Sequence, residues 1–168
     1  MTVFDRSSSN DSSQSRQGHR QLLMALLEGL GSDSGGEVIV RSGRESGRIH
    51  VTGGKVAWVS VSTVCETFSE NLTKRGLVSV SDLRAVFDDC RKTGSNFAEL
   101  IVGWGLVSAD VMREEFFRHT VKCLLETFRL SDVQSIFAPI KRSYRGSLLF
   151  TIEELLDAIV VADPAFSP

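Results

Sequence analysis

The sequence predicts an α+β fold: a small antiparallel sheet, formed by a three-stranded meander and a late strand, packed with helices and carrying a duplicated helical insertion. Three observations predict it. Between Glu37 and Val61, apolar and polar residues alternate with period two around glycine-rich turns, as in half-buried strands. The tetrapeptide Gly-Leu-Val-Ser occurs at Gly76–Ser79 and again at Gly105–Ser108, and the same 29-residue offset aligns Leu72 with Ile101, Leu83 with Met112, Arg84 with Arg113 and Phe87 with Phe116. A short stretch, Gln134 to Ala138, stands before Pro139 and reads as a late strand able to join the meander.

Residues 5–18 hold no aliphatic or aromatic side chain and cannot repay the entropy of ordering, so residues 1–20 are expected to be a disordered lead-in. From Gln21 to Leu30, Leu23, Leu26, Leu27 and Leu30 recur at helical spacing, and Gly31 stops the helix. Strands follow near 37–41, 48–52 and 55–61, with turns at Ser42–Gly47 and Gly53-Gly54. Such strands have one apolar face and need helices to cover it. Helical patterns then cover about Val64–Lys74, Val80–Lys92, Asn96–Trp104 and Ala109–Leu130. Gly76, Gly94 and Gly105 serve as stops, and serines or Asn96 as caps. After the late strand, Lys141–Arg145 reads as a basic loop. Thr151 with Glu154 forms a capping box that opens a last helix to about Val161, stopped before Pro164. The main domain therefore spans 21–163, with the repeats at about 64–130 and a tail at 164–168.

With 168 residues, 42% of them hydrophobic, the chain is long enough for one domain with a substantial core, or for two very small ones. A formal charge of −2, with Lys and Arg dispersed among Asp and Glu, argues against nucleic acid as a partner, since displacing counterions from phosphates takes a basic stripe. Cys65, Cys90 and Cys123 form no CxxC pair, so neither a disulfide framework nor a zinc knuckle is expected. A reducing, cytoplasmic setting fits them. The longest early apolar run, Leu22–Leu27, is too short and too late for a secretory signal, and no segment reaches the length of a membrane span.

The order of short motifs carries a resemblance. A Leu-rich helix is followed by Gly47-Arg48-Ile49-His50-Val51, by Gly53-Gly54-Lys55-Val56-Ala57-Trp58, by a helical segment, and by Leu124-Leu125-Glu126-Thr127-Phe128 before Ser135-Ile136-Phe137. This order resembles the PATAN family, the N-terminal domain of PatA-type response regulators, over about 21–160. The repeats would then be a helical insertion. Trp58 stands where relatives often have histidine, and Gly53-Gly54 replaces the usual acidic residue with glycine. The resemblance implies a non-catalytic protein–protein interaction adaptor in bacterial signalling, not an enzyme, with a response-regulator receiver domain or small GTPase system as partner. The repeats alone resemble the helical motif of secretion and pilus ATPase N-terminal domains, some of which bind cyclic di-GMP. The apolar register is kept at Phe97, Ile101, Val102, Gly105, Leu106, Val107, Met112 and Phe116. The contact slots, however, hold Asn96, Ala98 and His119, and in the first copy Thr67, Ser69 and Cys90, so the nucleotide-binding groups are missing. A cyclic-dinucleotide sensor is the alternative reading.

No residue set demands catalysis, a metal or a cofactor. His119 and Cys123, at i and i+4, are at most half of a metal site, and without a second Cys or His pair a partly buried helix position explains them better. His19 and His50 lack a Ser, Cys or Asp in catalytic order, and the turn glycines precede no helix that could hold a phosphate. Asp88 and Asp89 point about 100° apart on a helix, as on a solvated face. Trp104 aligns with Arg75, so its slot is expected at the surface, where Trp is a binding anchor or else a cover for the groove between the repeats. Arg41, Arg44 and Arg48 cluster near the first hairpin and would face an acidic partner or solvent. An exposed sheet edge would also allow a homodimer.

Overall fold

The computed structural model describes residues 8–140, 146–164 and 166, with side chains from Gln17 onward. The expected basic loop at 141–145 lies outside the described residues, as do residues 1–7 of the expected lead-in. The elements are α1 (Ser8–Leu30), β1 (Gly36–Ser42), β2 (Glu45–Thr52), β3 (Lys55–Val61), α2 (Phe68–Lys74), α3 (Val80–Thr93), α4 (Phe97–Gly103), α5 (Ala109–Phe128), β4 (Gln134–Pro139) and α6 (Ile152–Ala162). The fold is α+β, and the late strand joins the meander as expected: the antiparallel order is β3-β2-β1-β4.

Register follows from burial of one face. Val38 lies between Ile49 and Phe137, and Ile49 lies opposite Val59, so the alternating valines and isoleucines stack into one apolar row. Val38, Val40, Ile49 and Val59 are fully buried. Helix α1 covers the β4 side of this row with Leu22, Ala25 and Leu26. Gly29 permits the approach, because a Cβ there would come within 2.9 Å of Val51 and 3.0 Å of Phe137. Helix α5 covers the β3 side.

Three boundaries differ from expectation. Strand β2 starts at Glu45 rather than near 48, because Ser42 already pairs with Glu45 and the turn is Gly43-Arg44 alone. Helix α1 starts at Ser8, so the serine-rich stretch is helical rather than disordered from there on. Its last part is anchored: Gly18 is buried against Val133, and the His19 ring bonds the Phe128 carbonyl at 2.6 Å. Helix α2 starts at Phe68 rather than near Val64, because Thr67 and Glu70 form a reciprocal capping box that fixes the first turn there. Phe166, in the stretch set apart as a tail, packs its ring on Phe128 at 5.3 Å.

The repeated turn is reproduced bond for bond. Leu77 N–H donates to Leu72 O and Leu106 N–H to Ile101 O; Gly76 N–H donates to Thr73 O and Gly105 N–H to Val102 O. Both glycines have φ +70°, the left-handed conformation that this paired helix-ending turn requires. Ser79 and Ser108 then accept from the backbones of Asp82 and Val111, opening α3 and α5. At the other edge of the sheet, Phe150 exchanges two backbone hydrogen bonds with Val56, 2.8 and 2.9 Å, and so pairs with the start of β3.

Candidate functional site

Equivalent residues of the two repeats meet reciprocally. Phe68 of α2 packs edge-on against Phe116 of α5 at 5.3 Å, and the equivalents Phe97 of α4 and Phe87 of α3 stack at 4.9 Å. First helix therefore meets second helix in both directions, once edge-on and once stacked. Between them lies a cleft of about 330 Å³ lined by four equivalent pairs, Thr67 with Asn96, Phe68 with Phe97, Ser69 with Ala98 and Phe87 with Phe116. Trp58 of β3 is the remaining lining residue.

The cap oxygens of the cleft are engaged. Thr67 Oγ1 accepts from Glu70 N–H at 3.2 Å, and Asn96 Oδ1 accepts from Ala98 and Glu99 N–H at 2.9 and 3.3 Å. None of the nine lining residues is ionisable. Behind the cleft, His119 stacks on Trp58 at 5.1 Å and its Nε2 lies 3.5 Å from Cys123 Sγ. Burial, assisted by Lys122, holds the imidazole below its ordinary value. Burial also pushes the Cys123 thiol up to about 11, so at neutral pH it is not a thiolate nucleophile. The His119–Cys123 pair gains no further ligand: no group of three or more metal-ligating side chains occurs among the described residues. The arrangement offers an apolar slot, open at Phe87, which is 41% exposed.

The repeats are also tied ionically. Glu115, 4% exposed, contacts Arg75 of the first copy at 3.2 Å and Arg118 at 3.1 Å. Its contact to Arg75 lacks hydrogen-bond geometry, so it acts as an ion pair.

The residues singled out from sequence are not brought together. Trp104 is 46% exposed beyond the last turn of α4, in the slot where Arg75 sits in the first copy. Arg44 is exposed in the β1–β2 turn, Arg48 pairs with Glu37 at 3.1 Å, and Arg41 lies beside Gln134 at the β4 side. Among the described residues no hydrogen bond, ion pair or ring contact joins Trp104 to any of the three. Sequence reasoning missed the cleft, although its Phe87–Phe116 equivalence was readable; which copies' helices would touch was not. No helix among the described residues is long and apolar enough to cross a membrane. No family, curated protein or solved structure matches the chain.

Proposed function

We propose that this chain is a PATAN-like, non-catalytic protein–protein interaction adaptor of bacterial signalling, with a receiver domain or small GTPase system as its partner. The observation that carries this reading is an aromatic cleft without ionisable lining at the start of α4, with a separate exposed Trp104 at the end of the same helix. Surface aromatics on rigid elements suit recognition, and a cleft without ionisable lining offers no general acid or base. Arg41, Arg44 and Arg48 form a separate surface on the sheet, so the reading assigns the partner to the repeats first.

The test is titration of purified receiver domains and small GTPases from the same genome, followed by calorimetry. Trp104→Ala and Phe87→Glu are expected to weaken binding at least tenfold, while Arg44→Glu changes it less. Wild-type affinity in both aromatic variants would remove the repeat face from the reading. A cyclic-dinucleotide sensor remains the second reading, favoured by one feature: slots from both copies, Thr67, Ser69, Asn96 and Ala98, line the same cleft. Against it, no cation lines the cleft to meet a phosphate. A rise in melting temperature with cyclic di-GMP would support the sensor. A flat response would dismiss it.

A further inference from the structure

The two edges of the sheet are treated differently. Phe150 pairs with β3 at Val56 alone, whereas among the described residues no strand pairs with the outer side of β4. Natural edge strands are protected by charges, prolines within the strand or covering segments. The β4 sequence Gln134-Ser-Ile-Phe-Ala-Pro139 holds no charge, its proline is at the end, and Ile136 is 64% exposed. The hydrogen bond from Ile140 N–H to Gly35 O sets the phase of the β1–β4 ladder. With register partners summing as Gly36 with Pro139, the bonds to β1 come from Gln134, Ile136 and Ala138. Ser135 and Phe137 therefore turn their backbone N–H and C=O groups outward.

We propose that β4 pairs antiparallel with β4 of a second copy of this chain, about a two-fold axis through Ile136. Ser135 then exchanges both backbone bonds with Phe137 of the second copy, and the reverse pair does the same. Ile136 faces Ile136 of the second copy in the close, non-hydrogen-bonded position, where an apolar pair packs best. The sheets merge into one, and the open edge disappears.

Helix α1 fits the same axis. Gly18 rests on Val133 and Gly29 on Phe137, so α1 runs in the direction of β4, with Met24 midway and level with the Ser135–Ile136 step. Met24 and Leu27 are 63% and 66% exposed, and Gln21, Met24, Glu28, Ser135 and Ile136 line one groove of about 760 Å³. Two α1 helices related by the axis cross antiparallel at Met24. Exposed Arg20 and Glu28, one turn to either side, then meet Glu28 and Arg20 of the second copy. An isologous interface must be complementary to itself. The stripe Arg20, Met24, Glu28 has that property: cation, apolar centre, anion. A partner of uniform charge would match only one end of it. The pairing is independent of the repeat face and of any adaptor partner.

Sedimentation equilibrium of the full chain tests the proposal. Wild type is expected to have twice the 18.4 kDa chain mass, in a concentration-dependent equilibrium. Ile136→Lys, at an exposed position, sets like charges against each other on the axis and should give a monomer with unchanged circular dichroism. Ser135→Pro removes an outward N–H that β1 does not use, and should do the same. Arg20→Glu should weaken the dimer at least tenfold, and Arg20→Glu with Glu28→Arg should restore it. A wild-type monomer at every concentration overturns the proposal, and so does an Ile136→Lys chain that remains dimeric. If Ile136→Lys misfolds, the Arg20 and Glu28 exchange decides alone: failure of the double variant to recover the dimer overturns it.

Discussion

The two repeat copies share their turns and differ in what their second helices pack against. Leu72 and Ile101 are both fully buried, Val78 and Val107 nearly so, and both turns use glycine at the same φ. Helix α3 then ends at Gly94 after fourteen residues, while α5 continues for twenty and reaches the sheet. The consequence is visible at equivalent side chains. Phe87 is 41% exposed, whereas Phe116 is 4% exposed among Trp58, Phe68 and Phe150. Arg84 lines an exposed surface hollow, whereas its equivalent Arg113 lies over the Phe150 ring at 4.8 Å and bonds Glu154. The two copies therefore share their turns and both add to the core, but only the second helix of the second copy reaches the sheet, while that of the first keeps Phe87 and Arg84 at the surface.

The largest test of that division is a pair of truncations. Phe116→Ala is expected to cost about 3–5 kcal/mol in urea unfolding, the range for a buried aromatic. Phe87→Ala should cost about 1–2 kcal/mol, because much of its ring never left water. Equal losses would mean that the copies contribute equally to the core, contrary to the burial difference.

A second test concerns Glu115, whose equivalent in the first copy is the fully buried Val86. Arg75→Met removes one of its two cationic partners and should cost about 1–2 kcal/mol, less than breaking a fully isolated buried pair because Arg118 remains. Glu115→Val, which repeats the residue of the first copy, should be neutral or stabilising by about 1 kcal/mol, since apolar packing often replaces a buried ion pair without loss. A large loss in Glu115→Val would show that the ion pair holds the copies together rather than only matching their charges. The turns supply the control. Gly76→Ala and Gly105→Ala meet nothing within 4 Å, so each is expected to cost about 1–2 kcal/mol of left-handed backbone strain alone. Costs differing by more than about 0.5 kcal/mol would reveal a turn under tertiary load.

Local rules made much of this legible in the sequence. The caps, the glycine stops, the meander and the late strand each follow from residues a few positions apart, and the 29-residue offset identified the copies. What remained hidden depends on distant partners. The serine-rich segment has no apolar period, and its helix is secured where Gly18 meets Val133 and His19 meets Phe128. The capping box at Thr67 and Glu70 was readable and would have placed the start of α2. The site was less legible. The surface position of Trp104 followed from its alignment with Arg75, but the cleft depends on which helices of the copies touch, and the burial of Glu115 runs against its charge.

The smallest expected effect separates the copies by pH. Position 119 holds histidine, and its equivalent in the first copy is Cys90, whose thiol burial raises further from ionisation. The folded chain holds His119 below the ordinary value of 6.5, so below that pH the unfolded chain binds more protons. Stability should therefore rise with pH across the window just under 6.5 and be lost as pH falls through it, until the folded imidazole is also protonated. His50 is shifted in the same direction, first by burial and then by Arg48, against Glu37, so the wild-type slope contains both rings. His119→Phe keeps an aromatic ring against Trp58 and should make the slope shallower, while Cys90→Ser should leave it unchanged. Urea midpoints at pH 7.5 and 5.5 read the difference. An unchanged slope in His119→Phe would place the whole pH response on the sheet, at His50, and leave the repeats alike in this respect.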